Sequence, residues 1–261
     1  MTPGLVDQPG AGQLVLLRHG QSTSTAQNVF TGWTDVPLTD LGRAQAVQAG
    51  QQMVAAGLQP TSVHTSLLCR AICTAEIVAG VLGRSWLPVY RSWRLNERHY
   101  GALTDRRKSE VAAEVDPATF HAWRRSYTTA PPPMPPGSRF DVSADARYAD
   151  LPPDTRPRTE SLADVRARIL PYWADTLVAQ IRAGGVPLVV THGNALRALI
   201  MRLEGLDDQQ VSGLDIPTGA PIIYRFDDRL RPQPAGCHYL DPATANEPVR
   251  IGGAQPRVVI P

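Results

Sequence analysis

Two short apolar runs, Gln13 to Leu17 and Val186 to Val190, run directly into His-Gly pairs, at Arg18-His19-Gly20 and Thr191-His192-Gly193. An unbroken apolar run of that length reads as a strand buried on both faces, and such strands belong to parallel sheets covered by helices. In open sheets of this kind ligands gather outside the carboxyl ends of the strands. Both histidines therefore stand where a site is assembled.

The intervening sequence alternates in the way such a sheet requires. Thr39 to Gly57 opens on a Ser/Thr-type cap, carries Leu41, Ala44, Val47 and Val54 near helical spacing and stops at glycine, which predicts a helix. A brief strand is expected over Ser62 to Thr65, then a helix over Leu67 to Leu82 with Leu68, Ile72, Ala75 and Val78 on one face. Helices are expected near Arg107–Val115 and Pro117–Ser126, over Ser161 to Arg182 and over Ala195 to Leu203, with a last strand at Pro221 to Phe226. Pro131-Pro132-Pro133-Met134-Pro135-Pro136-Gly137 and Pro152-Pro153 cannot continue a helix or a central strand. The expectation is an α/β fold of three layers, a mostly parallel sheet with helices on both faces. It forms one domain over residues 1–261, with a core at about 13–240, an irregular Pro-rich insertion at about 130–158 and a loose C-terminal tail.

Composition narrows the function classes. With 26 basic and 24 acidic residues the net charge is +2, too even a balance to mark a polyanion-binding chain. Arg106-Arg107-Lys108 and Arg124-Arg125 lack an accompanying aromatic stacking motif, so no nucleic-acid partner is expected. Trp33, Trp86, Trp93, Trp123 and Trp173 read as core or loop anchors. The three cysteines, Cys69, Cys73 and Cys237, fit neither a zinc site nor a disulfide framework; neutral thiols in a reducing, cytoplasmic setting are expected. Met1 to Gln13 has no basic n-region or apolar stretch, and no run in the chain is long enough to span a bilayer, so neither export nor a membrane partner is expected.

The residues around the histidines favour an anion over a metal. Neither loop offers further ligands at zinc spacing, and Arg18 beside His19 opposes a cation. Arg18 and Arg70 bring forked guanidinium donors suited to phosphate, and the Gly20 loop leads backbone amides to the same place. One charge pair at contact is worth only about 4 kcal/mol at an effective dielectric of 20, so a phosphate dianion needs several such partners.

Longer stretches carry a resemblance. Leu14-Val-Leu-Leu-Arg-His-Gly-Gln-Ser, Phe30-Thr-Gly-Trp-Thr-Asp-Val-Pro-Leu-Thr, Thr65-Ser-Leu-Leu-Cys-Arg-Ala-Ile, Arg94-Leu-Asn-Glu-Arg-His-Tyr-Gly-Ala-Leu, Trp123-Arg-Arg, Thr191-His-Gly-Asn-Ala-Leu-Arg-Ala-Leu and Ile216-Pro-Thr-Gly occur in this order. They resemble the 2,3-bisphosphoglycerate-dependent phosphoglycerate mutases of the histidine phosphatase superfamily. The resemblance implies interconversion of 2- and 3-phosphoglycerate through a phosphohistidine at His19, primed by 2,3-bisphosphoglycerate and without a metal. It implies that Arg18, Arg70 and His192 hold the transferring phosphoryl group and that Glu97 is the general acid and base. Thr31 and Gly32 are implied in the phosphate pocket, and Arg98, Tyr100, Lys108, Arg124 and Arg125 at the glycerate carboxylate and second phosphate. Ser22, Gly193 and Asn194 complete the implied substrate contacts. The implied partners are a small phosphorylated substrate and further copies of the chain in a homo-oligomer.

The family pattern R-H-G-E-S-x-W-N is altered here to Gln21, Ser24 and Thr25 at its glutamate, tryptophan and asparagine. The segment A-L-Q-G-L-x-K becomes Ala102-Leu103-Thr104-Asp105-Arg106-Arg107-Lys108, and the tail after Gly236 lacks lysine. Two alternatives stay open: a phosphatase or mutase acting on another small phosphorylated acid, and a non-catalytic phosphometabolite-binding protein.

Overall fold

A computed structural model describes residues 12–233 and 237–240; the C-terminal tail expected after residue 240 lies outside them. Strand β1 (Gln13–Arg18) sends alternate side chains to opposite faces, as strand geometry demands. Leu14 and Leu16 enter one apolar cluster and Val15 and Leu17 another. Strand β4 (Pro187–Thr191) does the same with Val189 against Leu188 and Val190. Each such side chain is fully buried and worth about 1.5–3 kcal/mol of transfer free energy, which is why both runs read as unbroken apolar sequence.

The chain continues through α1 (Thr23–Ala26), α2 (Asp40–Ala55), β2 (Ser62–Thr65), α3 (Cys69–Val81), β3 (Val89–Arg91), α4 (Lys108–Glu114) and α5 (Pro117–Arg125). After the insertion come α6 (Leu162–Tyr172), a π-helical turn (Trp173–Leu177), α7 (Val178–Arg182), β4, α8 (Gly193–Glu204), α9 (Asp208–Gly213), β5 (Ile222–Arg225) and β6 (His238–Tyr239). Six strands form one sheet in the order β3-β2-β4-β1-β5-β6. The first four are parallel, while β5 pairs antiparallel with β1, and β6 antiparallel with β5. Helices α2 and α3 pack with the cluster on one face, α6 and α8 with that on the other. This is the three-layer, mostly parallel arrangement the alternation predicts.

Helix α2 forms where expected, capped by the Thr39 hydroxyl and followed by Gly57 at φ 67°, but it does not bury the face that its larger apolar residues mark. Leu41, Val47 and Val54 are exposed, and Gly42, Ala46, Ala49, Gly50 and Met53 face inward. The small residues win because α3 packs its side chains directly onto this face: a Cβ on Gly50 would stand 2.7 Å from Val81 Cβ. Helix α8 begins two residues before the expected start, immediately after His192. The short elements α1, β3, α9 and β6 are too brief to show a period in the sequence. Of the five tryptophans, Trp33 and Trp173 are buried while Trp86 is 73% exposed beside the Arg84 guanidinium.

The insertion is irregular, with 3-10 turns at Val142–Ala144, Ala146–Tyr148 and Pro153–Thr155, yet it is fastened to the fold. Tyr148 is fully buried against Trp33 at a ring separation of 4.8 Å and bonds Asn96 Nδ2 at 2.9 Å. Arg147 reaches Asp35 at 2.9 Å. Among the described residues no helix is long and apolar enough to cross a membrane.

Candidate active site

In the sheet order β2-β4-β1 the three strands are parallel and in step, Arg18 opposite Thr191 and Val190 opposite Thr65. Their carboxyl ends therefore coincide, and the residues just beyond them, Ser66, His192 and His19, meet. The two imidazoles stand edge to face with centroids 4.9 Å apart. Ser66 Oγ lies 2.8 Å from His192 Nε2 and accepts the Leu68 N–H.

His19 is buried, and its Nδ1 lies 2.7 Å from the Gly20 carbonyl. A carbonyl oxygen can only accept, so Nδ1 carries the proton and Nε2 keeps its lone pair. Burial, then the positive charges of Arg70 and Arg18, hold the His19 pKa well below the ordinary imidazole value. The ring is thus neutral and nucleophilic at physiological pH. His192 is held down in the same direction by burial, Arg70 and His19.

The loop after β1 is clamped against α2. A Cβ on Gly20 would lie 2.1 Å from Gly42 O, and one on Gly42 2.0 Å from Gln21 O, so neither position accepts a side chain in this backbone. The Gly20 N–H donates to Thr74 Oγ1 at 3.1 Å. The residues that depart from the family pattern sit here. Gln21 Oε1 accepts from Thr39 Oγ1 at 2.9 Å, Thr25 Oγ1 and Ser22 Oγ are 2.9 Å apart, and Ser24 is buried. Ser22 also caps α1, so its hydroxyl is engaged within the loop.

Among the described residues, two of the arginines around the histidines, Arg18 and Arg98, keep buried donors without a partner. Arg70 donates to the carbonyls of Gly32 at 2.8 Å and Thr34 at 2.9 Å, which fixes its plane and leaves other N–H groups of the fork for a ligand. Arg18 Nη1 donates to Ile216 O at 2.6 Å, while its buried Nε has no partner. Arg98 is fully buried, donates from Nη2 to the carbonyls of Trp123 and Arg124, and has neither Nε nor Nη1 paired. Lys108 is pushed down to about 8 by burial and by Arg124 and Arg18. Arg124 is lowered too, by burial and Arg125. Arg125 is held by Leu214 O at 3.1 Å and by the exposed Asp215 carboxylate at 3.4 Å. Gly32, at φ 57°, lets its loop pass over the Tyr100 backbone; Thr31 beside it is half-buried. Arg106 and Arg107 turn to Glu114 and Glu110, so the added charge of that segment is neutralised along α4.

Glu97 is 9% exposed. Its Oε1 accepts from Arg98 N at 2.7 Å, Asn194 Nδ2 at 2.9 Å and Asn194 N at 3.2 Å. Its Oε2 has no hydrogen bond among the described residues and lies on the side of Gly193 and the Arg18 guanidinium. The Glu97 backbone is held as firmly, its carbonyl accepting from Trp33 Nε1 at 2.6 Å and Arg168 Nη2 at 2.9 Å. Arg168 is itself paired with the buried Glu160 at 2.6 Å.

Of the residues expected at the site, the fold brings His19, His192, Arg18, Arg70, Glu97 and Asn194 together, whereas Ser22 turns its hydroxyl to its own loop. Sequence reading missed Ser66, Trp33 as the anchor of Glu97, the Arg168–Glu160 pair and Arg197. Only Ser66 carried a usable signal, since it directly follows a strand, as both histidines do.

The sequence profile of the histidine phosphatase superfamily (branch 1) matches residues 14–144 and 138–231. A 2,3-bisphosphoglycerate-dependent phosphoglycerate mutase of Thermobifida fusca is 50% identical over 236 residues, 90% of this chain and 96% of that protein. The protein of the same name from Mycobacterium tuberculosis H37Ra is 51% identical over 234 residues, 90% of this chain and 93% of that one. Among solved structures, a mycobacterial glucosyl-3-phosphoglycerate phosphatase superposes with a TM-score of 0.65 at 27% identity, covering 85% of this chain and 96% of that one. By the profile match and by identity of about half over nine-tenths of its length, the chain belongs to the histidine phosphatase superfamily and, within it, to the 2,3-bisphosphoglycerate-dependent phosphoglycerate mutase family.

Proposed function

We infer that this chain interconverts 2-phosphoglycerate and 3-phosphoglycerate by phosphoryl transfer through His19, a step shared by glycolysis and gluconeogenesis. The observation that carries the mechanism is the pairing of a neutral imidazole of fixed tautomer with a carboxylate that keeps one oxygen free. His19 Nε2 would attack phosphorus, forming the N–P bond as the P–O bond breaks. Glu97 Oε2 would give its proton to the departing oxygen, and on the return would take one from the hydroxyl that displaces His19. Arg18, Arg70 and His192 would hold the phosphoryl oxygens through the transfer, where positioning and electrostatics supply most of the rate.

The primer 2,3-bisphosphoglycerate fits the donor set. Two phosphates and a carboxylate suit unpaired buried donors at Arg18 and Arg98 and a wall of Lys108, Arg124 and Arg125 whose cations repel one another. When bound, it supplies the phosphoryl group that first charges His19. Thr31, Gly32, Tyr100, Ser22, Gly193 and Asn194 would line the same space.

The single chain would act as one catalytic unit of a cytoplasmic homo-oligomer; exposed Val89 and Tyr90 on the outer strand β3 and Trp86 just before it support self-association, which light scattering measures. A second reading, hydrolysis of a small phosphorylated acid, rests on the likeness to the glucosyl-3-phosphoglycerate phosphatase. Incubation with 3-phosphoglycerate, with and without trace 2,3-bisphosphoglycerate, separates them. Primer-stimulated 2-phosphoglycerate supports the mutase, and free phosphate without isomerisation overturns it.

A further inference from the structure

Helix α8 carries a buried arginine three residues beyond Asn194, on a segment otherwise filled by Leu196, Ala198, Leu199 and Ile200. Arg197 spends its fork on three elements. Nη2 donates to Arg125 O at 3.0 Å and Val211 O at 2.7 Å, Nε to Val211 O at 3.2 Å, and Nη1 to Asn194 Oδ1 at 2.7 Å. An arginine can only donate, so the Asn194 atom facing it is the carbonyl oxygen. The amide plane is thereby settled, and Nδ2 is turned to Glu97 Oε1 at 2.9 Å and Tyr100 Oη at 2.9 Å. Were the amide free to rotate by half a turn, Oδ1 would face the carboxylate oxygen and two acceptors would oppose each other.

We propose that Arg197 is a positioning residue for proton transfer: by fixing the Asn194 amide it keeps Glu97 Oε1 occupied as an acceptor, so that only Oε2 exchanges the transferring proton. The inference rests on the reading of Glu97 as the proton carrier. Its physical content is a division between the two carboxylate oxygens. Donors gathered on Oε1 leave Oε2, beside Gly193 and Arg18, as the oxygen on which a proton is not in competition with an N–H. The charged groups facing Glu97 are Arg18 from β1, Arg70 from α3, Lys108 from α4, Arg168 from α6 and Arg197 from α8, with Tyr100 sharing Asn194. Burial, followed by Arg125 and Arg98, pushes Arg197 down to about 10, so it is charged across the working range.

The test follows the Glu97 carboxyl carbon by ¹³C NMR in the full chain labelled at glutamate, its signal assigned by its loss in Glu97→Gln. Arg197→Met and Asn194→Ala are each expected to move the pH midpoint of that signal away from its position in the unmodified enzyme, the first by releasing the amide and the second by removing its hydrogen bond to the carboxylate. The double variant is expected to shift no further than Asn194→Ala alone, because Arg197 acts through the amide. Additive shifts would mean that Arg197 acts only as a through-space charge, and an unmoved titration in Arg197→Met would mean that it does not act on Glu97; either overturns the proposal. In the unmodified enzyme the Asn194 side-chain amide signals are expected to follow the same titration. Their insensitivity would overturn it even if Arg197→Met failed to fold. The underlying reading is tested apart from this, by the pH profile of kcat/KM in Glu97→Gln. A limb that persists there removes Glu97 as proton carrier, whereas a limb lost there with an unmoved Arg197→Met titration sinks only the role of Arg197.

Discussion

At the scale of single residues, the site works by contrast between groups that are paired and groups that are not. His19 has one ring nitrogen committed to Gly20 O and the other free, and Glu97 has one oxygen saturated and the other open. Because burial, Arg70 and Arg18 hold His19 well below its usual pKa, the nucleophile is already neutral at pH 6.5. Acid inactivation of kcat/KM near pH 6.5 is therefore not expected from His19. Replacing His19 by Ala should abolish transfer, and measurable primer-dependent turnover in that variant would remove it as nucleophile. Glu97→Gln keeps the size and the hydrogen bonds but cannot cycle a proton, so kcat should fall on the order of 10²- to 10⁴-fold. A loss of a few-fold in stopped assays would place the proton elsewhere.

At the scale of elements, the contact between the loop after β1 and the first turn of α2 is made of backbone on both sides. In an ordinary helix a glycine-to-alanine change gains up to about 1 kcal/mol from propensity. At Gly42 that gain is outweighed, because the added Cβ meets a carbonyl that cannot swing away. Gly42→Ala should lower stability by about 1–3 kcal/mol in urea unfolding and reduce turnover by displacing Gly20 and Gln21. Gly80 is the control. It is exposed on α3 with open space where a Cβ would go, so Gly80→Ala should be stabilising by about 0.5–1 kcal/mol. If both substitutions moved the urea midpoint in the same direction, the close approach would not be what sets the loop.

At the scale of the whole molecule, two buried histidines outside the transfer chemistry tie stability to pH. Burial lowers His64 to about 4 against an opposing bond from Gln180, and lowers His99 to about 4 against the opposing charge of Glu160. Their folded values lie below the unfolded value near 6.5, so their contribution is complete above pH 6.5 and drains away as pH falls toward 4. The slope is about 1.4 kcal/mol per pH unit for each. His64→Gln should flatten the decline of urea stability between pH 6.5 and 4 by that amount; an unchanged slope would mean that His64 titrates normally.

How far the sequence alone reached follows from what kind of signal each feature leaves. Strands β1 and β4, their His-Gly ends, the capped helices and the Pro-rich break were readable because burial, capping and missing N–H groups act locally and mark the residues that bear them. Nothing local marked the inward face of α2, where close packing selected Gly42, Ala46 and Gly50 over the larger Leu41 and Val47. Nor did it mark the approach of Ser66 to His192, the hold of Trp33 and Arg168 on Glu97, or the reach of Arg197 to the Arg125 carbonyl, which join residues between 64 and 126 apart in the chain. The order of residues by itself determined the layered fold and the chemical types gathered at its strand ends. Only the folded chain decided which nitrogen, which carboxylate oxygen and which guanidinium donor remain free, because that depends on how each loop is turned when distant segments close on it, even where the bond itself is made to a neighbour in sequence.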